Sequence, residues 1–222
     1  MKSIFTLFIK LVILYFSILL IFSFTQYLSN SNYLNEILIK YLFVEKQVAT
    51  DLLKNIFLFL ISIITIIFLS RGHLWMYGIN SLNFKQVLNK YLIFFIPYLI
   101  ILFLIDSNMQ KEFGSKLNLN GIYYFNKIIV ESIAFVIFYY GLIQSVIEKK
   151  IFSEHTNIIY KLNCILLLLI LIFSFENYTF QTKSIIYIPL IIANGIIFSF
   201  TKSLLIPLIA QIVIAVLILF IN

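Results

Sequence analysis

The chain has 222 residues, of which 62% are hydrophobic and only 11% charged, and its mean hydropathy is +1.06. That balance excludes a water-soluble globular domain and a disordered segment, and it makes lipid the expected solvent. The net charge of +7 does not point to nucleic acid, because the 16 basic residues stand singly between hydrophobic runs, where lysine and arginine anchor helices at the membrane surface.

A run of about 20 apolar residues crosses a bilayer as a helix, since only helices and closed barrels satisfy every backbone hydrogen bond in hydrocarbon. The first such run, Ile4 to Leu28, is too long for a removable signal peptide and has no small-residue cleavage site after it, so it reads as a retained span. Further spans are expected at Leu52 to Ser70, Tyr91 to Ile105, Ile122 to Ile147, Leu162 to Phe175, Ile185 to Phe200 and Leu204 to Ile221. The fold class is therefore an all-α, polytopic membrane bundle of about seven transmembrane helices in one domain over residues 1–222. Between the second and third spans, residues 71–90 alternate apolar positions such as Leu74, Trp75, Tyr77, Ile79 and Leu88 with Asn80, Asn83, Lys85 and Gln86, the pattern of an interfacial amphipathic helix. Alternating the loops puts nine of the 16 Lys and Arg on one side, which makes the N-terminus cytoplasmic.

The 24 Phe and 14 Tyr read as lipid-facing filler, and the single cysteine, Cys164, permits no internal disulfide. His73 and His155 lie in different loops without a second ligand at metal-binding spacing, so neither metal nor cofactor is expected. No Ser-His-Asp set, Walker loop or dinucleotide fingerprint occurs.

Polar groups inside a membrane cost a few kcal/mol each on insertion scales, roughly, so their positions point to function. The fourth span carries Lys127, Glu131, Gln144 and Glu148. Gln144 and Glu148 stand four apart and share a helix face. Glu131 lies near the other surface, where pairing with Lys127 is expected. Glu148 and Asn177 are nearly equidistant from a turn near Leu162, and Gln211 follows a second turn at Thr201, Lys202 and Ser203. A polar pocket of Gln144, Glu148, Asn177 and Gln211 is the expectation, with Lys149 and Lys150 keeping Glu148 ionised.

These residues resemble the CPBP family, which includes CAAX prenyl proteases and bacteriocin-processing or self-immunity proteins. Its Glu-Glu-x-x-x-Arg motif falls on Glu148, Lys149, Lys150, Ile151, Phe152 and Ser153, keeping the first Glu and the usual Phe but not the second Glu or the Arg. Its Phe-x-x-x-His motif falls on Phe173 to Asn177, with Asn177 in place of the His. Gly195, the Thr201-Lys202-Ser203 turn and Pro207 resemble the approach to the last motif, in which Gln211 replaces His and Ala215 replaces Asn. Met76 to Ile79 resembles the Gly-Leu element that precedes the third span. The resemblance covers most of the chain and is strongest across the core at 122–222.

It implies an intramembrane peptidase architecture whose glutamates and histidine activate water and whose last His and Asn stabilise the oxyanion. An amide cannot take the proton that an imidazole takes, so of the matched positions Glu148 alone stays competent, while Asn177 and Gln211 keep only donors for an oxyanion. The expected function is a catalytically inactive relative that serves as a membrane scaffold, chaperone or immunity factor. Its partners are the lipid bilayer and a transmembrane helix or peptide of another membrane protein, in a bacterial plasma membrane. Two alternatives stand beside it: an active endopeptidase with a centre rebuilt on Glu148 and Glu154, His155 or Glu176, and a small transport subunit. The second lacks the paired Gly-Pro-broken spans that transporters use.

Overall fold

The computed structural model describes residues 2–79, 125–151, 163–170 and 182–220, and every regular element among them is helical. In chain order these are α1 (Lys2–Ser29), α2 (Asn32–Leu42), α3 (Lys46–Ser70), a 3-10 turn (Leu74–Tyr77), α4 (residues 125–151), α5 (residues 163–170), α6 (Thr182–Thr201) and α7 (Leu205–Phe220). Among the described residues, three stretches are long and apolar enough to cross a membrane, Phe5–Ser29, Lys46–Ser70 and Ile128–Lys149. The third span expected from the sequence, and the two ends of the fifth, lie outside the described residues.

The three long helices differ in where they sit. The most apolar window of α4 is 61% buried against 28% for α3 and 6% for α1, so α4 is the axis of the bundle and α1 its outer wall. Phe138, Tyr140 and Ile147 of α4 are fully buried, whereas Phe8, Phe16 and Leu20 of α1 are largely exposed, as suits a surface in contact with lipid. With lipid outside, such burial holds helices together through dispersion contacts and hydrogen bonds, since hydrocarbon solvates Leu and Phe as well as a protein interior does.

α3 and α4 run in the same direction. Asn55 Nδ2 donates to Asn126 Oδ1 at 3.2 Å near one end, and Ile66 packs beside Gly141 toward the other. Much of α4 is wound as a π-helix, over Asn126–Val130, Ile137–Gln144 and Ile147–Ile151. Such turns are rare and tend to mark functional positions.

Two local elements depart from the expectation. α2 falls in a stretch where no helix was expected, and it ties α1 to α3: the buried Asn35 donates to the Ser29 carbonyl at 2.8 Å and accepts from Thr50 Oγ1 at 3.2 Å. That bond satisfies a carbonyl that the end of α1 leaves without an intrahelical donor. The connector does not begin as a continuous amphipathic helix from Leu74. A 3-10 turn ends at Gly78, whose φ of 81° turns the chain into the left-handed region, which glycine enters without a Cβ clash. Residues 80–90 of that connector lie outside the described residues.

Gly78 also sits where no side chain fits. A Cβ there would lie 2.5 Å from Phe198 Cε2 and 3.0 Å from Leu204 Cγ, and the Gly78 carbonyl accepts from Leu204 N–H at 3.0 Å. The connector is thereby fastened to the turn between α6 and α7.

Candidate functional site

Glu148 lies in the last π-helical segment of α4 and faces α6 and the α6–α7 turn. Its carboxylate accepts from Ser199 Oγ and, at 3.1 Å, from Gln144 Nε2, and it is ion-paired with Lys202. Gln144 is fully buried and also donates to the Gly195 carbonyl at 2.9 Å and to Ser199 Oγ at 2.8 Å. An amide has two N–H donors, so three acceptors share two hydrogens. Ser199 passes one bond on, accepting from Gln144 and donating to Glu148. The result is a closed network joining α4 to α6 through two pairs at helical spacing, Gln144 with Glu148 and Gly195 with Ser199.

Local sequence explains the placement. Gly195 removes a side chain where α4, α5 and α6 crowd together, since a Cβ there would meet Ile165 Cγ1 at 3.2 Å and Gln144 Oε1 at 3.4 Å. Lys202 follows the last turn of α6 with φ of 51°, and its N–H donates to the Phe198 carbonyl at 2.8 Å. This left-handed cap reverses the chain and presents the ammonium to Glu148. Thr201 Oγ1 accepts from Ser203 N–H at 3.1 Å, and Ser203 Oγ accepts from Leu205 N–H at 3.4 Å, opening α7 with Pro207 in its first turn.

Electrostatics at the centre favour a neutralised carboxylate. The Glu148 side chain is 11% exposed and that of Lys202 42%. Burial pushes the Lys202 ammonium down to about 8, so at neutral pH it is still chiefly protonated. Lys202 supplies a counter-charge that the sequence did not point to. Consecutive helical residues point in different directions, and Lys149 turns toward the connector, where it donates to the Met76 carbonyl and lies 4.2 Å over the Tyr77 ring. Burial raises the Tyr77 phenol above its ordinary value, so the ring meets that cation as a neutral aromatic. The Lys150 side chain lies outside the described residues.

Of the residues singled out from the sequence, the structure brings Gln144 and Glu148 together and places Lys149 beside them on the connector. Phe152, Ser153, Phe173 and Asn177 lie outside the described residues, as do Glu154, His155 and Glu176. Gln211 and Ala215 are carried by α7 and are half-buried. α7 packs along the Asn126–Val130 and Glu131–Val136 stretches of α4, well away from Glu148, and Gln211 makes no hydrogen bond to it. Gln211 instead shares its depth with Asn194 on α6, the two being about equally far from the α6–α7 turn. Both amide atoms of Asn194, Gln211 Oε1 and Gln144 Oε1 are buried without a hydrogen-bond partner among the described residues, each at a cost of roughly 1–3 kcal/mol.

Sequence reasoning did not assign Ser199 or Lys202 to the site. The signal for Ser199 was its spacing of four from Gly195, a small-residue pattern typical of helix contacts. Lys202 carried no local signal, because its reach depends on the left-handed cap.

Chemically, the network can hold a charge and bind helices to each other. No imidazole and no second carboxyl group touches Glu148 among the described residues, and no group of three or more His, Cys, Asp or Glu capable of holding a metal occurs among them. No family model, curated protein or solved structure matches this chain.

Proposed function

We propose that the chain is a non-catalytic, integral membrane relative of the CPBP peptidases. In this reading it has about seven spans, a cytoplasmic N-terminus and a place in a bacterial plasma membrane, and its bundle binds a transmembrane helix or peptide as a scaffold, chaperone or immunity factor. The observation that carries this reading is the state of the Glu148 carboxylate, which is taken up by Lys202, Ser199 and Gln144. A general base needs a lone pair within reach of a water and a pKa near the working pH. A carboxylate paired with an ammonium and holding two further donors is a weak base with little room for water. The amides at Asn177 and Gln211, in place of histidine, cannot accept the proton.

The test uses the full chain reconstituted in vesicles with quenched fluorescent membrane peptides, including prenylated ones. No turnover is expected from the wild type, and Glu148→Gln leaves peptide binding in place. Turnover that Glu148→Gln abolishes overturns the proposal. The binding role is tested separately: Glu148→Ala, Asn177→Ala and Gln211→Ala together should weaken peptide binding, and unchanged binding by a stably folded triple variant refutes it.

A further inference from the structure

α1 and α3 are both long and apolar enough to cross a membrane, and α2 joins them at one surface. A single side chain fixes that geometry: Asn35 donates to the carbonyl of Ser29, where α1 ends, and accepts from Thr50 near the start of α3. The 11 residues of α2 extend about 16 Å, with two residues between it and α1 and three between it and α3. We infer that α2 lies flat in the headgroup layer of the bilayer and that its exposed aromatic stripe is a lipid-binding surface at the boundary with hydrocarbon. The inference rests on the membrane character of α1 and α3 and is independent of the reading of Glu148.

Successive helical residues are turned by about 100°, so α2 presents four sides. Asn35, Ile39 and Leu42 face the bundle: Asn35 is buried, and Ile39 and Leu42 pack against Val44, Val48 and Ala49. On the opposite side Tyr33, Ile37 and Tyr41 stand four apart in one stripe, with Tyr33 72% and Tyr41 71% exposed. The third side is polar, formed by Asn32, Glu36 and Lys40, which also stand four apart and are all exposed. Leu34 and Leu38, both partly buried, lie across the helix from that polar stripe. Around the axis the order is therefore aromatic, leucine, bundle and polar. A helix lying flat at a membrane surface meets lipid, hydrocarbon, protein and water in the same order.

The flanking residues agree. Tyr27, in the last turn of α1, is largely exposed, and Phe43, which caps α2 with φ of 52°, is 85% exposed. The Phe43 N–H donates to the Ile39 carbonyl at 3.0 Å. The left-handed region disfavours a residue with a Cβ, and helices commonly place glycine or asparagine there. A phenylalanine at this position gains from surroundings that are lipid instead of water. Tyrosine gathers at headgroup depth because its ring is apolar and its hydroxyl can bond to water or headgroups. Burial of aromatic rings, and not charge, makes the contact, so a zwitterionic bilayer suffices.

The experiment uses the full chain in phosphatidylcholine nanodiscs, with Trp75, its single tryptophan, replaced by phenylalanine. One tryptophan is then introduced at a time, as Tyr33→Trp, Tyr41→Trp, Glu36→Trp or Lys40→Trp. Its emission is quenched by acrylamide from the water or by lipid bromines set near the glycerol or near the chain end. Tyr33→Trp and Tyr41→Trp should emit at shorter wavelength and lose more intensity to bromines near the glycerol than to those near the chain end. Glu36→Trp and Lys40→Trp should be quenched by acrylamide roughly threefold more strongly than the tyrosine-stripe variants. Each stripe carries two positions, so one variant that fails to fold leaves the comparison intact. Equal quenching of both stripes by acrylamide puts α2 in water and overturns the inference. Shielding of the tyrosine stripe from both quenchers puts protein over it, and quenching chiefly by chain-end bromines puts it deep in the hydrocarbon; either result overturns the inference as well.

Discussion

Replacing Gly78 by alanine tests whether the connector is fastened to the α6–α7 turn. Two costs add at this position. The left-handed backbone at φ of 81° costs a residue with a Cβ roughly 1–2 kcal/mol. The new methyl would also lie 2.5 Å from Phe198 Cε2, 3.0 Å from Leu204 Cγ and 3.2 Å from Leu204 N. Phe198 is fully buried, so its ring cannot swing aside, and overpacking of this kind costs about 1–3 kcal/mol. Any retreat of Leu204 stretches its hydrogen bond to the Gly78 carbonyl. The expected loss is about 3 kcal/mol, within a range of about 2–5. Gly72→Ala is the control, because φ there is 90° and nothing lies within 4 Å of the added methyl, leaving only the backbone cost of about 1–2 kcal/mol. Unfolding by dodecyl sulfate in mixed micelles is the assay, with Trp75, the chain's single tryptophan, as a reporter in the neighbouring turn. Phe198→Leu in the Gly78→Ala background should recover part of the loss. Equal destabilisation by the two glycine substitutions would refute the docking of the connector.

Three further outcomes are expected. In a double-mutant cycle at pH 6.5, Glu148→Gln and Lys202→Met should show a coupling of about 0.5–1.5 kcal/mol, modest because Lys202 is partly exposed, and additivity would mean that the pair does not form. Lys202 is pushed down to about 8 by burial while a lysine in the unfolded chain titrates near 10.4, so between those values the unfolded state binds more protons; stability should rise with pH across that window, as read from unfolding midpoints, and Lys202→Met should flatten the rise. Asn35→Ala should cost about 1–3 kcal/mol in the same unfolding assay by leaving the Ser29 carbonyl without its donor, and Thr50→Val less, because Thr50 also bonds within its own helix.

The membrane character and helical class were legible from residue order alone, since apolar runs near Ile4 to Leu28 and Leu52 to Ser70 have no water-soluble alternative. Helix α2 was missed although Leu34, Ile37, Leu38 and Leu42 stand at helical spacing, because attention to long apolar runs passes over an 11-residue amphipathic segment. Asp51 was missed because the second span was begun at Leu52, whereas α3 begins at Lys46, and Lys54 and Asn55, inside that span, were passed over among its apolar residues.

At the candidate site, the spacing of Gln144 and Glu148 sufficed to put both on one face, a property of a single helix. Which groups meet that face is a property of the assembled bundle. Lys202 is 54 residues from Glu148, and it arrives only because α6 ends in a left-handed turn and Gly195 lets α4 and α6 approach. Gln211 matched the family pattern by its distance along the chain, yet α7 carries it away from Glu148. Hydrophobic order along the chain determined that helices form in lipid, because each helix satisfies its own backbone bonds. The partner of each buried polar group was decided by tertiary packing, because contacts between helices depend on turns and small residues that sequence separation does not encode.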